Sequence, residues 1–344
     1  MRNTYEQSKS KLDLLKKYII NLDTLNSVIL QYLHSKPTAD TKFDIDFREK
    51  KIYDYSLTII RLYGIFENFL EGIVCAYLNA LSSQLSSYSD LPEEIRENNL
   101  NLSAKLLNTT SAKFDSIKPE EIIKKLYSCF DDTSESYSLN VQAFRQHTSN
   151  FREDSMTEFL HHAGIKNFDQ SILKNEKLRA FLGNDSKSEQ FPRSKYFEYL
   201  KDLVERRNIV AHGETEDDIL STDILKQYIE YISRFIDSIY ESVLSNYYNL
   251  MIKNNKVENL GNAIETFGNN ILGINSGKHT IKVGQKIIAR NNEGVLYWGD
   301  IKSIHIKNTS IEEISSEEAI DVGIMTSFKV KKQYSYFVFS DKYT

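Results

Sequence analysis

The sequence predicts a mainly α protein, an antiparallel helical bundle followed by a small C-terminal all-β domain, a meander or SH3-like barrel. Three observations carry that reading. Ile52, Ile59, Phe66, Ile73 and Ala80 recur every seven residues, with Tyr55, Leu62, Phe69 and Ala76 at the complementary positions. Such a seam belongs to a long helix packed against antiparallel neighbours. Only four prolines and 13 glycines interrupt 344 residues, which favours long helices over a loop-rich scaffold. Past Asn254 the helical spacing gives way to alternation, first in Lys282-Val283-Gly284-Gln285-Lys286-Ile287-Ile288-Ala289-Arg290. The expected organisation is a helical domain over 1–255, a linker over 256–279 and a β domain over 280–344.

In chain order, Leu12, Leu15, Ile19, Leu22, Leu25, Val28, Ile29 and Leu33 give a helix from about Tyr5 to His34. Lys36-Pro37-Thr38-Ala39-Asp40 breaks it, and the heptad helix follows. Within that helix, Glu67 and Glu71 flank the seam. Exposure statistics favour solvated flank positions for both, and the sharper alternative makes Glu67 a buried partner for a distant arginine. Leu91-Pro92-Glu93-Glu94 and Lys118-Pro119-Glu120-Glu121 each start a helix, with proline in the first turn and acids against the helix dipole. Another helix spans Asp154 to His162 and stops at Gly164. Residues 165–191 show no clear period. Phe191-Pro192-Arg193-Ser194 leads into a helix ending at His212-Gly213, with Leu200, Leu203, Val204, Arg207 and Ala211 on one stripe. Glu214-Thr215-Glu216-Asp217-Asp218 is an acidic connection, and Ser221-Thr222-Asp223 caps a last helix running to about Lys253. Strands are expected at 282–290, 295–300, 301–306 and 334–339.

The bulk numbers exclude several classes. A net charge of −5 supplies no global field for nucleic acid. The segment from Ser276 onward carries ten Lys/Arg and eight Asp/Glu, too slight an excess to make the β domain a nucleic-acid binder. Cys75 and Cys129 form no CxxC pair, and Cys75 reads as a small buried hydrophobe. The polar start lacks a signal peptide's apolar core and no run reaches a membrane-spanning length, so the expectation is cytoplasmic with no membrane partner. No HExxH, P-loop, GxGxxG after a strand or GxSxG elbow is present, and no metal or cofactor is expected. The adjacent His161 and His162 point in different directions on a helix and do not chelate together.

Arg207 and His212 remain, a guanidinium and an imidazole near one helix end. Five residues turn a helix so that their side chains diverge by about 140° over a rise of about 7.5 Å. Both could meet one phosphate only through a loosened last turn, or through a two-fold dimer that aligns the pair from each chain. The chemistry they suit is metal-free phosphodiester cleavage. Histidine exchanges the 2′-hydroxyl or leaving-group proton, and arginine holds the phosphate as charge builds. Asn208 could donate to the phosphate or position the histidine. The competing reading is a C-terminal histidine that merely caps the last carbonyls.

The stretch Leu203-Val204-Glu205-Arg206-Arg207-Asn208-Ile209-Val210-Ala211-His212-Gly213 resembles the signature of HEPN domains, in particular the RiboL-PSP-HEPN group. Tyr63-Gly64-Ile65-Phe66-Glu67-Asn68-Phe69-Leu70 and Ser221-Thr222-Asp223 extend the resemblance, which covers roughly residues 45–245 in element order. It implies a helical bundle, usually a homodimer, whose Arg-x4-6-His motifs form a composite, metal-independent endoribonuclease site. Toxin–antitoxin, phage-defence and RNA-processing settings follow from it, with RNA as substrate and an antitoxin or regulatory protein as partner. Carried over residue by residue, Arg207, His212 and Asn208 are catalytic, and Glu67 and Arg206 support them. Members without activity imply a rival, an inert scaffold that binds RNA or protein. A purely structural oligomerisation bundle is the third reading.

Overall fold

The computed structural model describes residues 1–35, 46–131, 136–166, 168–183, 192–213, 219–307, 309–315 and 319–339. The chain divides into two compact units, Met1–Val243 and Leu244–Thr344. The boundary falls inside the last helix rather than after it. The breaks expected at 36–40 and 214–218 lie outside the described residues.

The described residues of the first unit carry α1 (Arg2–Ser35), α2 (Phe47–Gln84), α3 (Glu93–Leu107), α4 (Pro119–Phe130), α5 (Glu153–His162), α6 (Phe168–Lys174), α7 (Glu176–Phe181), α8 (Arg193–Ala211) and the larger part of α9 (Thr222–Lys253). Asp46 caps α2 by accepting the N–H of Arg48 and Glu49, and Pro119 opens α4 as the sequence predicts. Helices α6 and α7 fill the stretch that shows no clear period, because each is too short to display one.

The heptad seam makes α2 the central element, packed against α1, α8 and a short 3-10 turn at Val141–Arg145. Ile59, Leu62, Phe66, Phe69 and Ile73 are fully buried. Phe66 and Phe197 both meet Phe235 of α9, with ring centroids 5.9 and 5.7 Å apart. At the start of α1, Tyr5 stacks on Tyr240 at 4.3 Å and Lys9 pairs with Asp237 at 2.7 Å. A Cβ on Gly72 would lie 2.9 Å from the Thr4 methyl, so glycine there lets α1 approach α2 closely. The α1 stripe is buried only as far as Leu22, and Leu25 and Val28 are exposed, so this helix outruns the core it packs on.

The outer side of α2 changes character along its length. Tyr53, Leu57 and Ile60 recur on one stripe and are 69%, 54% and 41% exposed. A Cβ on Gly64, the next residue of the stripe, would meet nothing within 4 Å. Further along the same stripe Glu71 is buried beneath the 141–147 segment.

The second unit is antiparallel β, preceded by the last turns of α9. It contains β1 (Val257–Asn262), β2 (Glu265–Phe267), β3 (Ile271–Asn275), β4 (Ile281–Lys282), β5 (Lys286–Arg290), β6 (Leu296–Ile306), β7 (Thr309–Ile311), β8 (Glu313–Ile314), β9 (Asp321–Thr326) and β10 (Ser335–Phe339). Residues 256–279, read as a linker, instead carry β1–β3, whose asparagines and glycines mark tight turns and a bulge. The main sheet runs β1-β10-β5-β6-β9-β3-β2, which rules out a simple meander because β1 pairs with β10. The runs 295–300 and 301–306 form one long strand: β6 pairs with β5 in its first half and, across a register shift near Ile301, with β9 in its second. Leu272, Ile274, Ile281, Ile287, Ile304 and Tyr336 lie in its core. Tyr248 of α9 packs on Trp298 and Phe339.

Candidate active site at the end of α8

Helix α8 buries Leu200, Leu203 and Val204, but Arg207 is half-buried and Ala211 is exposed, so the apolar stripe stops short of the motif. The helix ends in a tightened turn. The His212 N–H donates to the carbonyls of Asn208 (3.0 Å) and Ile209 (3.2 Å), and Gly213 N–H donates to Val210 (3.1 Å). Gly213 has φ +76°, the left-handed C′ conformation that its residue type predicts. The turn is therefore not unwound toward Arg207. One chain leaves the arginine and the histidine splayed, as helical geometry requires.

Arg207 is held by neighbours that leave its charge available. Its guanidinium carbon lies 5.4 Å from the Tyr63 ring centroid, and Nη1 donates to the Asn208 side-chain oxygen at 3.3 Å. Among the described residues no carboxylate pairs with it. His212 is exposed, with no side-chain hydrogen bond among the described residues. Asn208 braces rather than reaches: its side-chain oxygen also accepts Asn150 Nδ2 at 2.6 Å, tying α8 to the loop before α5.

The two supporting residues have different places from those expected. Arg206 turns away from the motif, donating from Nε to Asp202 (2.6 Å) and from Nη1 to the Tyr55 hydroxyl (3.1 Å). Tyr228 donates to the same Asp202 carboxylate. Arg206 therefore locks α8 to α2 and α9. Glu67 is half-buried, accepting the Tyr63 hydroxyl at 3.3 Å and lying 3.9 Å from His147 Nε2. The buried carboxylate that holds a distant arginine is Glu71, one turn further on and only 4% exposed, so the flank reading of that residue is corrected.

Glu71 is clamped from three sides. Arg145 donates from Nε (3.0 Å) and Nη2 (2.9 Å), His147 Nε2 lies 2.8 Å away, and Lys113 adds a short contact. Burial works to raise its pKa, but the hydrogen bonds from His147, Lys113 and Arg145 outweigh burial and bring it down to about 2. Both ring nitrogens of His147 face acceptors, Glu71 on one side and the Ser149 carbonyl on the other at 3.0 Å. That arrangement requires both protons, and the Glu71 hydrogen bond accordingly raises the His147 pKa. Tyr63 completes the path. It accepts the Phe151 N–H at 2.8 Å and donates to Glu67, so one side chain supports Arg207 with its face and the 147–151 loop with its hydroxyl. Burial, then the Glu67 charge, pushes the Tyr63 hydroxyl far above the tyrosine range, so it stays a neutral donor.

The 145–151 contributions were not visible in the sequence, because Arg145, His147 and Asn150 sit in a segment without periodicity. The one available signal was the four-residue spacing of Tyr63, Glu67 and Glu71, which lines three polar groups beside a buried seam.

A model of the RiboL-PSP-HEPN family matches residues 6–245. The chain belongs to this family. The RiboL-PSP-HEPN match takes in most of α1 as well as the heptad helix and the motif, and it ends before β1. HEPN membership points to a nuclease or other RNA-related role. No curated relative matches the sequence. No helix among the described residues is long and apolar enough to cross a membrane.

Proposed function

We propose that the chain is a metal-independent endoribonuclease whose site is composed from the Arg207–His212 motifs of two copies. The observation that carries the reading is the state of the motif. An arginine is braced by Tyr63 and Asn208 with no carboxylate partner among the described residues, and an exposed imidazole follows five residues on, splayed from it within one chain. Elsewhere in the bundle Arg145 and Arg206 are each matched to a carboxylate, Glu71 and Asp202.

In the reaction His212 takes the proton of a ribose 2′-hydroxyl. The freed 2′-oxygen forms a bond to phosphorus as the bond to the 5′-oxygen breaks. The leaving oxygen is protonated by the second copy's imidazole, and Arg207 holds the phosphate oxygens while their charge grows. The products are a 2′,3′-cyclic phosphate and a 5′-hydroxyl. The splayed motif of one chain needs the second chain, and the uncovered stripe Tyr53, Leu57 and Ile60 supports that pairing. It lies on α2, the helix whose Tyr63 carries Arg207. The setting that suits such an enzyme is a toxin–antitoxin or phage-defence system, with an antitoxin or regulatory protein as its partner.

The test is RNA cleavage in EDTA by the wild type, Arg207→Ala and His212→Ala. Wild-type cleavage with cyclic-phosphate ends, lost in both variants at unchanged melting temperature, supports the enzyme. An inert wild type that still binds RNA supports the scaffold reading, which the splay of Arg207 and His212 within one chain favours for a protein that stays monomeric.

A further inference from the structure

On the other side of the 145–151 segment lies a cavity of about 420 Å³. Lys105 of α3, Lys113, Arg145 and His147 line it, with Glu158 of α5 as the carboxylate at its wall. Glu71 neutralises part of that charge from behind, and an excess of positive charge remains in a chain whose net charge is −5. The rim offers the hydroxyls of Ser111, Thr148 and Ser149, none of which makes a side-chain hydrogen bond among the described residues. Fixed cations beside unused hydroxyls are the donor set of a phosphate site. The buried Glu71 holds Arg145 and His147 in place before any ligand arrives, which lowers the cost of ordering them on binding.

We propose that this cavity binds the phosphate of a nucleotide. Its volume falls within the range of small-ligand pockets, which admits one nucleotide. The phosphate has two sources, a nucleotide of the RNA strand outside the cleavage point or a free nucleotide. The first rests on the ribonuclease reading; the second does not. The same loop serves both places, since His147 and Ser149 line the cavity while Asn150 holds Asn208.

The experiment uses the full chain carrying His212→Ala, so that binding is read apart from cleavage. A fluorescent 2′-O-methyl RNA and, separately, ATP and AMP are titrated into it at low salt. The titrations are repeated with Lys105→Glu and with Thr148→Glu added. Lys105 lies on an exposed helix face, and thermal melts verify that each variant is folded. The expected result is that both charge changes weaken the oligonucleotide, the mononucleotides or both by about tenfold or more. Loss for the oligonucleotide alone assigns the pocket to the RNA strand, and loss for ATP or AMP assigns it to a free nucleotide. Undetectable binding of every probe, or binding indifferent to both substitutions, overturns the proposal. Cleavage by the wild-type chain is scored separately, so the pocket and the ribonuclease reading can fail independently.

Discussion

Glu71 is the residue on which most of the polar architecture converges, and its energetics can be read from its neighbours. Removing a buried carboxylate leaves three cations facing a neutral group, softened by the partial exposure of Lys113 and Arg145. Glu71→Gln is expected to cost about 2–3 kcal/mol, measured by urea denaturation. The pH dependence has a definite sign. The Glu71 pKa lies near 2 in the folded chain against an ordinary 4.5, so its contribution is complete above pH 4.5 and is lost as pH falls toward 2. The His147 pKa is raised above its ordinary 6.5, so its contribution is complete below pH 6.5 and fades as pH rises through the folded value. Denaturation midpoints should therefore fall on both limbs, with Glu71→Gln flattening the acid limb and His147→Asn the alkaline one. A Glu71→Gln protein whose acid limb matches the wild type would show that the clamp is not what couples pH to stability. Cys75, by contrast, is inert: burial lifts its thiol to about 11, and its sulfur leans on the Val141 carbonyl at 3.8 Å.

At the scale of elements, the end of α8 depends on one backbone conformation. Gly213 at φ +76° closes the last turn, and any residue with a Cβ is strained there. Gly213→Ala should cost about 1 kcal/mol and fray the turn that presents His212, lowering cleavage more than global stability. Hydrogen exchange at the His212 and Gly213 amides checks this, and unchanged protection there would refute it. How much of this was legible in the sequence follows from length and period. The heptads of α2, the proline start of α4 and the Gly213 stop are local signals, and each stands where its chemistry puts it. Strands β1–β3 are not legible because they are only three to six residues long and β1 and β3 carry asparagine and glycine, which resembles a linker until the sheet is assembled. The motif itself was legible. Its supports were not, since Tyr63, Asn150 and Glu71 come together only through contacts spanning 58 to 88 positions in sequence.

For the whole molecule, the uncovered stripe on α2 is the surface that the proposed pairing uses. A charge placed there should spare the bundle's core, because Leu57 and Ile60 lie outside it, 54% and 41% exposed. Under the proposed pairing the wild type sediments as a dimer in analytical ultracentrifugation, and Leu57→Asp with Ile60→Asp is expected to leave a monomer without the proposed RNA cleavage at unchanged melting temperature. A double variant that remains dimeric would place the interface elsewhere. The proposed pairing also implies a dosage rule. Below the dissociation constant of the pair, the number of complete sites grows as the square of chain concentration, so doubling the protein raises the cleavage rate about fourfold. Under the proposed reading, a cell that holds the chain dilute keeps its RNA intact. A modest rise in synthesis or fall in degradation would then raise the proposed cleavage more steeply than for an enzyme whose site is complete in one chain.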